Sequence, residues 1–172
     1  MHLLSCPKLD SMYNDTYTTM KLEVQGYTLG AHYHLGEPFS LAVKFRLRGG
    51  KYLLVHVVPE LVNALVDGVF KALTNARRMD AAYAALAKLR SEPVPLTSEE
   101  VSGIEDMTAI IRAAVAYDKK SVETTLLLKN GTEIQLKMDE SFALKLAVNI
   151  AEEGANFFNG GPMTAPQGTQ LQ

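Results

Sequence analysis

A pattern of apolar positions and turn residues that begins at Thr28 begins again at Ala109, 81 positions later (109 against 28), and runs without a gap to Phe70 of the first copy. In each copy three extended segments separated by turn signals lead into an amphipathic helix, the pattern of a repeated βββα unit. One such unit, a half of about eighty residues, would be marginal alone, so the 172 residues are expected to form one pseudo-symmetric body more than two independent ones. The expected fold class is α+β: pseudo-duplicated βββα units with antiparallel sheet or sheets and helices packed on one side. The pattern leaves open whether the halves share one sheet or stack as two layers.

The expected domain spans residues 18–158, with copy one at 28–75, a connecting helix and linker at 76–107, and copy two at 109–158. Residues 1–17 mix Pro7, Asn14 and Asp15 without periodicity and read as an arm. Thr18 to Val24 alternates enough for an extra strand that stops before Gly26 and has no counterpart in copy two. Leu29, Ala31, Tyr33 and Leu35 then alternate, Gly36-Glu37-Pro38 turns the chain, and Leu41, Val43, Phe45 and Leu47 follow, so both strands bury their odd-numbered side.

Gly49-Gly50 and its counterpart Asn130-Gly131 are hairpin signals. A strict two-residue loop would pair Phe45 with Leu54 and, in copy two, Leu126 with Gln135, setting apolar against polar. One added residue, as in a type I turn with a glycine bulge, pairs Phe45 with Leu53 and Val43 with Val55, and Leu126 with Ile134 and Thr124 with Leu136. The bulged register is therefore expected in both copies.

Pro59 suits a first helical turn, and Leu61, Val62, Leu65, Val66, Val69, Phe70 and Leu73 recur at helical spacing. The equivalent helix is capped by Asp139 and carries Phe142, Leu146, Ala147, Ile150 and Ala151. Between the copies, Met79 to Arg90 is alanine-rich and helical by propensity, with Tyr83, Leu86 and Leu89 on one side. Thr97 and Glu100 form a capping box for a short helix to about Asp106. Residues 159–172, rich in Gly, Pro and Gln, have no means of burying apolar area and are expected to be disordered.

A net charge of −2 supplies no overall attraction for nucleic acid or anionic lipid, so such binding would need a local patch. The single cysteine, Cys6, excludes an internal disulfide and a thiolate-built zinc site, and fits a reducing, cytoplasmic location. Leu3-Leu4-Ser5-Cys6 resembles a lipoprotein cleavage box, but with no room before it for a basic region and an apolar core it is not expected to act as one. No apolar run is long enough to span a membrane.

The candidate site lies on the non-core face of copy one. The bulged register gathers His32, His34 and His56 there with Lys44, Arg46 and Arg48, and adds Tyr52 and Leu54. Histidines at alternate strand positions can serve zinc, but no carboxylate in the same sheet completes a ligand set and Lys44 would repel a cation, so no metal is expected. Lys44, Arg46, Arg48, Lys51 and Tyr52 suit a phosphate or nucleic-acid backbone better. Copy two lacks the feature, since Thr125, Leu127 and Lys137 replace Lys44, Arg46 and His56. Apolar Tyr52, Leu54 and Val58 on this face require a cover, supplied by another part of the chain or by another protein.

No Gly-x-Ser-x-Gly, phosphate loop, dinucleotide fingerprint or His-Glu-x-x-His occurs, and the carboxylate clusters fall where helix caps are needed. The functional expectation is a small non-enzymatic protein-binding module, a regulator, adaptor or inhibitor of another protein, without a cofactor and with homodimerisation left open. The alternative is nucleic-acid or anion binding through the basic hairpin of copy one.

Overall fold

The computed structural model describes residues 19–89, 96, 97, 100 and 109–158, so the expected arm and tail lie outside the described residues, as do Cys6 and most of the linker. In chain order the elements are β1 (Met20–His34), β2 (Glu37–Leu47), β3 (Tyr52–Val57), α1 (Pro59–Asn75), α2 (Met79–Leu86), β4 (Ile110–Asp118), β5 (Ser121–Leu128), β6 (Glu133–Asp139) and α3 (Glu140–Phe158). The protein is α+β, with a six-stranded mixed sheet in the order β3-β2-β1-β6-β5-β4 and, among the described residues, three helices.

The expectation of purely antiparallel pairing fails at the centre of the sheet. There Met20 to Glu23 of β1 run parallel to Ile134 to Lys137 of β6. The separate strand expected at residues 18–24 is the leading part of β1, because Gly26 follows a β-bulge at Gln25 and does not break the strand. β1 thus pairs with β6 through its first residues and with β2 through the rest. That division makes the sheet continuous and decides between one sheet and two layers.

The hairpin registers follow the bulged pairing. Phe45 faces Leu53 and Val43 faces Val55, while Leu126 faces Ile134 and Thr124 faces Leu136. Leu47 N donates to Lys51 O and Leu128 N donates to Thr132 O, closing the two turns alike. Gly50 (φ 80°) and Gly131 (φ 87°) hold the left-handed bulge position in each. In the first turn Gly49 also has φ 91°, which a type I turn does not allow at that place, so the two turns share their closing bonds and bulge glycine but not their turn type.

The ungapped displacement of 81 holds for β2, β3 and α1 but not for the first strand. Val24 faces Leu47 and Ile110 faces Leu128, so β1 and β4 are displaced by 86 (110 against 24). The difference of five positions (86 − 81) is taken up at the β1–β2 hairpin, which extends further than its counterpart. That hairpin turns at Leu35 (φ 53°) and Gly36 (φ 81°), one residue earlier than the expected Gly36-Glu37-Pro38, and Glu37 and Pro38 already belong to β2. The shorter β4–β5 hairpin turns at Lys119 (φ 44°) and Lys120 (φ 73°), again with two left-handed residues.

Pro59 begins α1, and Val62, Leu65, Val69 and Leu73 form its buried stripe. Asp139 caps α3 by accepting a hydrogen bond from Ser141 N at 3.0 Å. The connecting helix, expected to run to Arg90, stops at Leu86 and buries Ala82, while Tyr83 is half exposed. The core lies between the helices and the odd-numbered side of β2, with β5 and β6 contributing Leu126, Ile134 and Leu136. Gly68 lets α1 approach β4, because a Cβ there would stand 2.7 Å from a Val115 methyl. Between sheet and helices is a cavity of about 30 Å³ lined by apolar side chains and Thr124.

Candidate functional site

β1, β2 and β3 bring the expected residues onto one face by register alone. Across β2, Arg46 pairs with Gly26 and Tyr52, Lys44 with Thr28 and Leu54, Ala42 with Gly30 and His56, and Ser40 with His32. Arg48 leaves this array in the turn, where its guanidinium donates to Glu23 at 3.1 Å with both side chains well exposed. His34 closes β1 opposite Glu37.

The face is not a solvated exterior. Ser40, Ala42, Lys44 and His56 are all buried, and Leu54 is partly so. Leu96, from the stretch joining the halves, packs on Ala42 and Leu54 and is itself buried. Glu100 lies alongside, its Oε1 2.6 Å from Lys44 Nζ. Of the corresponding residues of the second half, Ser121 is buried, but Glu123, Thr125, Leu127, Gln135 and Lys137 keep partial or full solvent access, so the cover over the middle of the face belongs to the first half.

Glu100 is held in two directions at once. Its Oε2 accepts from Thr97 N at 2.9 Å and its own N donates to Thr97 Oγ1 at 3.1 Å, which is the capping box expected from the sequence. Its other oxygen receives the Lys44 ammonium. The Lys44 bond, followed by the Thr97 backbone bond, holds the Glu100 carboxyl below the usual carboxylate range. Lys44 Nζ also stands 4.6 Å from the centroid of the Tyr52 ring, a cation–π contact that fixes its direction. A cation this deeply buried requires an anion beside it, and Glu100 provides one.

His32 and His56 meet around Ser40, whose hydroxyl lies 3.2 Å from His32 Nδ1 and 3.0 Å from His56 Nδ1. With one proton to give, the hydroxyl can donate to only one of the two rings, so at least one Nδ1 must carry the proton for both bonds to form. The two rings are 6.3 Å apart, closer than the roughly 10 Å that two strand spacings imply, because both turn toward Ser40. Phe39 stacks on His56 at 6.2 Å and meets His32 edge-on at 5.3 Å. Among the described residues no group of three or more His, Cys, Asp or Glu side chains is arranged to hold a metal ion.

Two features of the same region carry no signal in the sequence pattern. The first is an apolar hairpin tip: Leu35 is 92% exposed, and Tyr33 and Phe39 beside it are 52% and 37% exposed. Tyr33 leans edge-on against Phe157 at 5.1 Å, which ties the tip to the core end of α3. The second is the cover itself, since Leu96 and Glu100 are distant in sequence from the strands they touch.

A further set lies at the other end of the sheet. Arg78 donates to both oxygens of Glu140, at 2.9 and 2.5 Å, and Tyr117 OH donates to Oε2 at 3.0 Å. Arg78 foremost, with Tyr117 assisting, holds the Glu140 carboxyl low, and burial followed by the Glu140 bond pushes the Tyr117 phenol up. These three bonds tie the α1–α2 corner and β4 to the start of α3, which is a structural task. Among the described residues no helix is long and apolar enough to cross a membrane. Comparison of the chain with models of known protein families, with characterised proteins and with solved structures finds no match.

Proposed function

We propose that this protein is a small non-enzymatic module that binds another protein, with the β1–β2 hairpin tip as its docking element. The observation that carries this reading is the exposure of Leu35 in a left-handed backbone conformation at the end of a hairpin that the second half keeps shorter. A leucine there is unfavourable on two counts, since a Cβ disfavours positive φ and water disfavours the side chain. Tyr33 and Phe39 flank it with the amphipathic and aromatic surface typical of interface anchors. We also read the two βββα halves as copies of one unit, which explains their common hairpin registers; the longer tip is then an addition to one copy only.

The test is capture of a partner by the purified chain, with nuclease treatment, in parallel for wild type and Leu35→Asp. A protein retained in stoichiometric amount by wild type and lost with the variant supports the reading. Equal retention by both would remove the tip from it.

The alternative, anion or nucleic-acid binding through the basic hairpin, is favoured by Arg48 and Lys51, both exposed at the hairpin end. Lys44 is already engaged by Glu100, so the cations open to solvent are fewer than the sequence suggests. Reversing Arg48 and Lys51 to Glu separates the readings, because only the alternative requires oligonucleotide retention to fall.

A further inference from the structure

β4 ends the strand order, with β5 on one side of it. The bridge to His56 stops at Ala109, so from Arg112 to Asp118 no strand among the described residues lies beyond it. At the opposite end of the sheet β3 buries Val55, His56 and Val57. Val115 of β4 points to the core side, where it meets Gly68 of α1. Arg112, Ala114, Ala116 and Asp118 alternate with it and are exposed on the other face. Ala113, Val115 and Tyr117 keep partial solvent access, whereas the core-side residues of β5 and β6 are buried, which is how an open edge differs from a paired strand.

The charges along this edge are arranged to meet a copy of themselves. Asp118 and Ser121 close a two-residue turn and face each other, so the alternation of the ladder directs the backbone groups of Ala113, Val115 and Tyr117 away from β5. Arg112 and Asp118 stand at equal distance on either side of Val115 and carry opposite charge. Among the described residues the ion pairs are made by other side chains. An edge guarded against self-pairing carries like charges or a central lysine, and this one carries neither.

We propose that β4 pairs antiparallel with β4 of a second copy of this chain, about a two-fold axis at Val115, joining the two sheets edge to edge. In that register Val115 faces Val115, and Ala113 faces Tyr117 of the other copy, in the pairs that exchange backbone hydrogen bonds. Arg112 then lies opposite Asp118 of the other copy, twice over by symmetry, and Ala114 lies opposite Ala116 in the closer pairs, where small side chains leave room. A slip of two positions sets Arg112 against Ala116 and removes both charge pairs, so the charges fix the register as well as the partner. The counterparts of Arg112 and Asp118 on β1, at the displacement of 86, are Gly26 and His32, so the self-complementary edge belongs to the second half alone. This surface is separate from the β1–β2 hairpin tip and does not depend on its role.

The test weighs the full chain in solution by light scattering after gel filtration, at concentrations up to about 1 mM. Wild type is expected to give twice the 18.8 kDa of one chain. Arg112→Asp and Asp118→Arg each set like charges against one another at both ends of the pairing, so either variant alone is expected to raise the dimer dissociation constant about tenfold or more. Mixed in equal amounts, the two variants recover the dimer, because each acidic edge then meets a basic one, and that recovery shows that both are folded. Should a single variant fail to fold, the double exchange of Arg112→Asp with Asp118→Arg is expected to pair with itself and not with wild type. A wild type that keeps the mass of one chain throughout, folded single variants that dimerise like wild type, or a mixture that stays monomeric overturns the proposal. Loss of the dimer in Leu35→Asp also overturns it, since the contact would then lie at the hairpin tip.

Discussion

Thr124 shows how a single atom departs from an otherwise apolar plan. Its counterpart on β2 is Val43, both face the core, and the Thr124 hydroxyl is buried without a hydrogen-bond partner beside a cavity of about 30 Å³. That lining offers one polar side chain, too few to hold a water. An unsatisfied buried hydroxyl costs roughly 1–3 kcal/mol, so Thr124→Val is expected to raise stability by about 1 kcal/mol or more, seen as a higher urea midpoint at unchanged slope. A fall in the midpoint would contradict the assignment. Glu140 gives a prediction in pH. Its folded carboxyl titrates below the unfolded one, so the folded state binds fewer protons between those two values and the contribution is complete above the ordinary glutamate range. It is lost as pH falls through the depressed value. Glu140→Gln should therefore be less stable than wild type near neutrality, with the gap closing as the pH is lowered through the carboxylate range. A gap that stays constant across that range would show that the charge on Glu140 contributes nothing. Neither residue could be singled out from sequence: Thr124 reads as an ordinary strand threonine, and Glu140 reads as a charge at a helix start.

At the scale of elements, much was legible where a choice had to satisfy both copies at once. The bulged register, the α1 stripe, the Asp139 cap and the Thr97–Glu100 box all follow from local chemistry tested twice or fixed by short spacing. What escaped was decided by contacts between distant segments. Gly26 looks like a strand breaker and instead follows a bulge, because the strand ahead of it has β6 to pair with. The outer face looks solvated, and its cover comes from Leu96 and Glu100. Nor does the pattern show that the β4–β5 turn places lysines at both left-handed positions, where each L-residue with a Cβ costs on the order of 1 kcal/mol. Replacing Lys119 by Asn and Lys120 by Gly supplies the residues that such a two-residue turn favours. The double variant is expected to unfold about 3 °C or more higher in a thermal melt, for a gain of about 1 kcal/mol in a domain of this size. An unchanged or lower melting temperature would show that the lysine side chains stabilise the turn in some other way.

At the scale of the molecule, β1 decides how the parts behave together. Its first residues complete the second half and its remainder belongs to the first, so neither half holds a full set of strand neighbours. Urea unfolding is accordingly expected to show one transition, with backbone dichroism and tyrosine signals coincident. Two separated steps would mean that the halves are independent. The edges of the sheet extend the same logic. The parallel bridge between His56 and Ala109 joins β3 to the start of β4, in the place that the pair Glu23 and Lys137 takes where β1 meets β6. Each half lends the beginning of its first strand to the third strand of the other, and the loan is returned. The chain is thus built as a handshake closed within one polypeptide, and a half separated from its companion would find the missing hand only in another copy of itself.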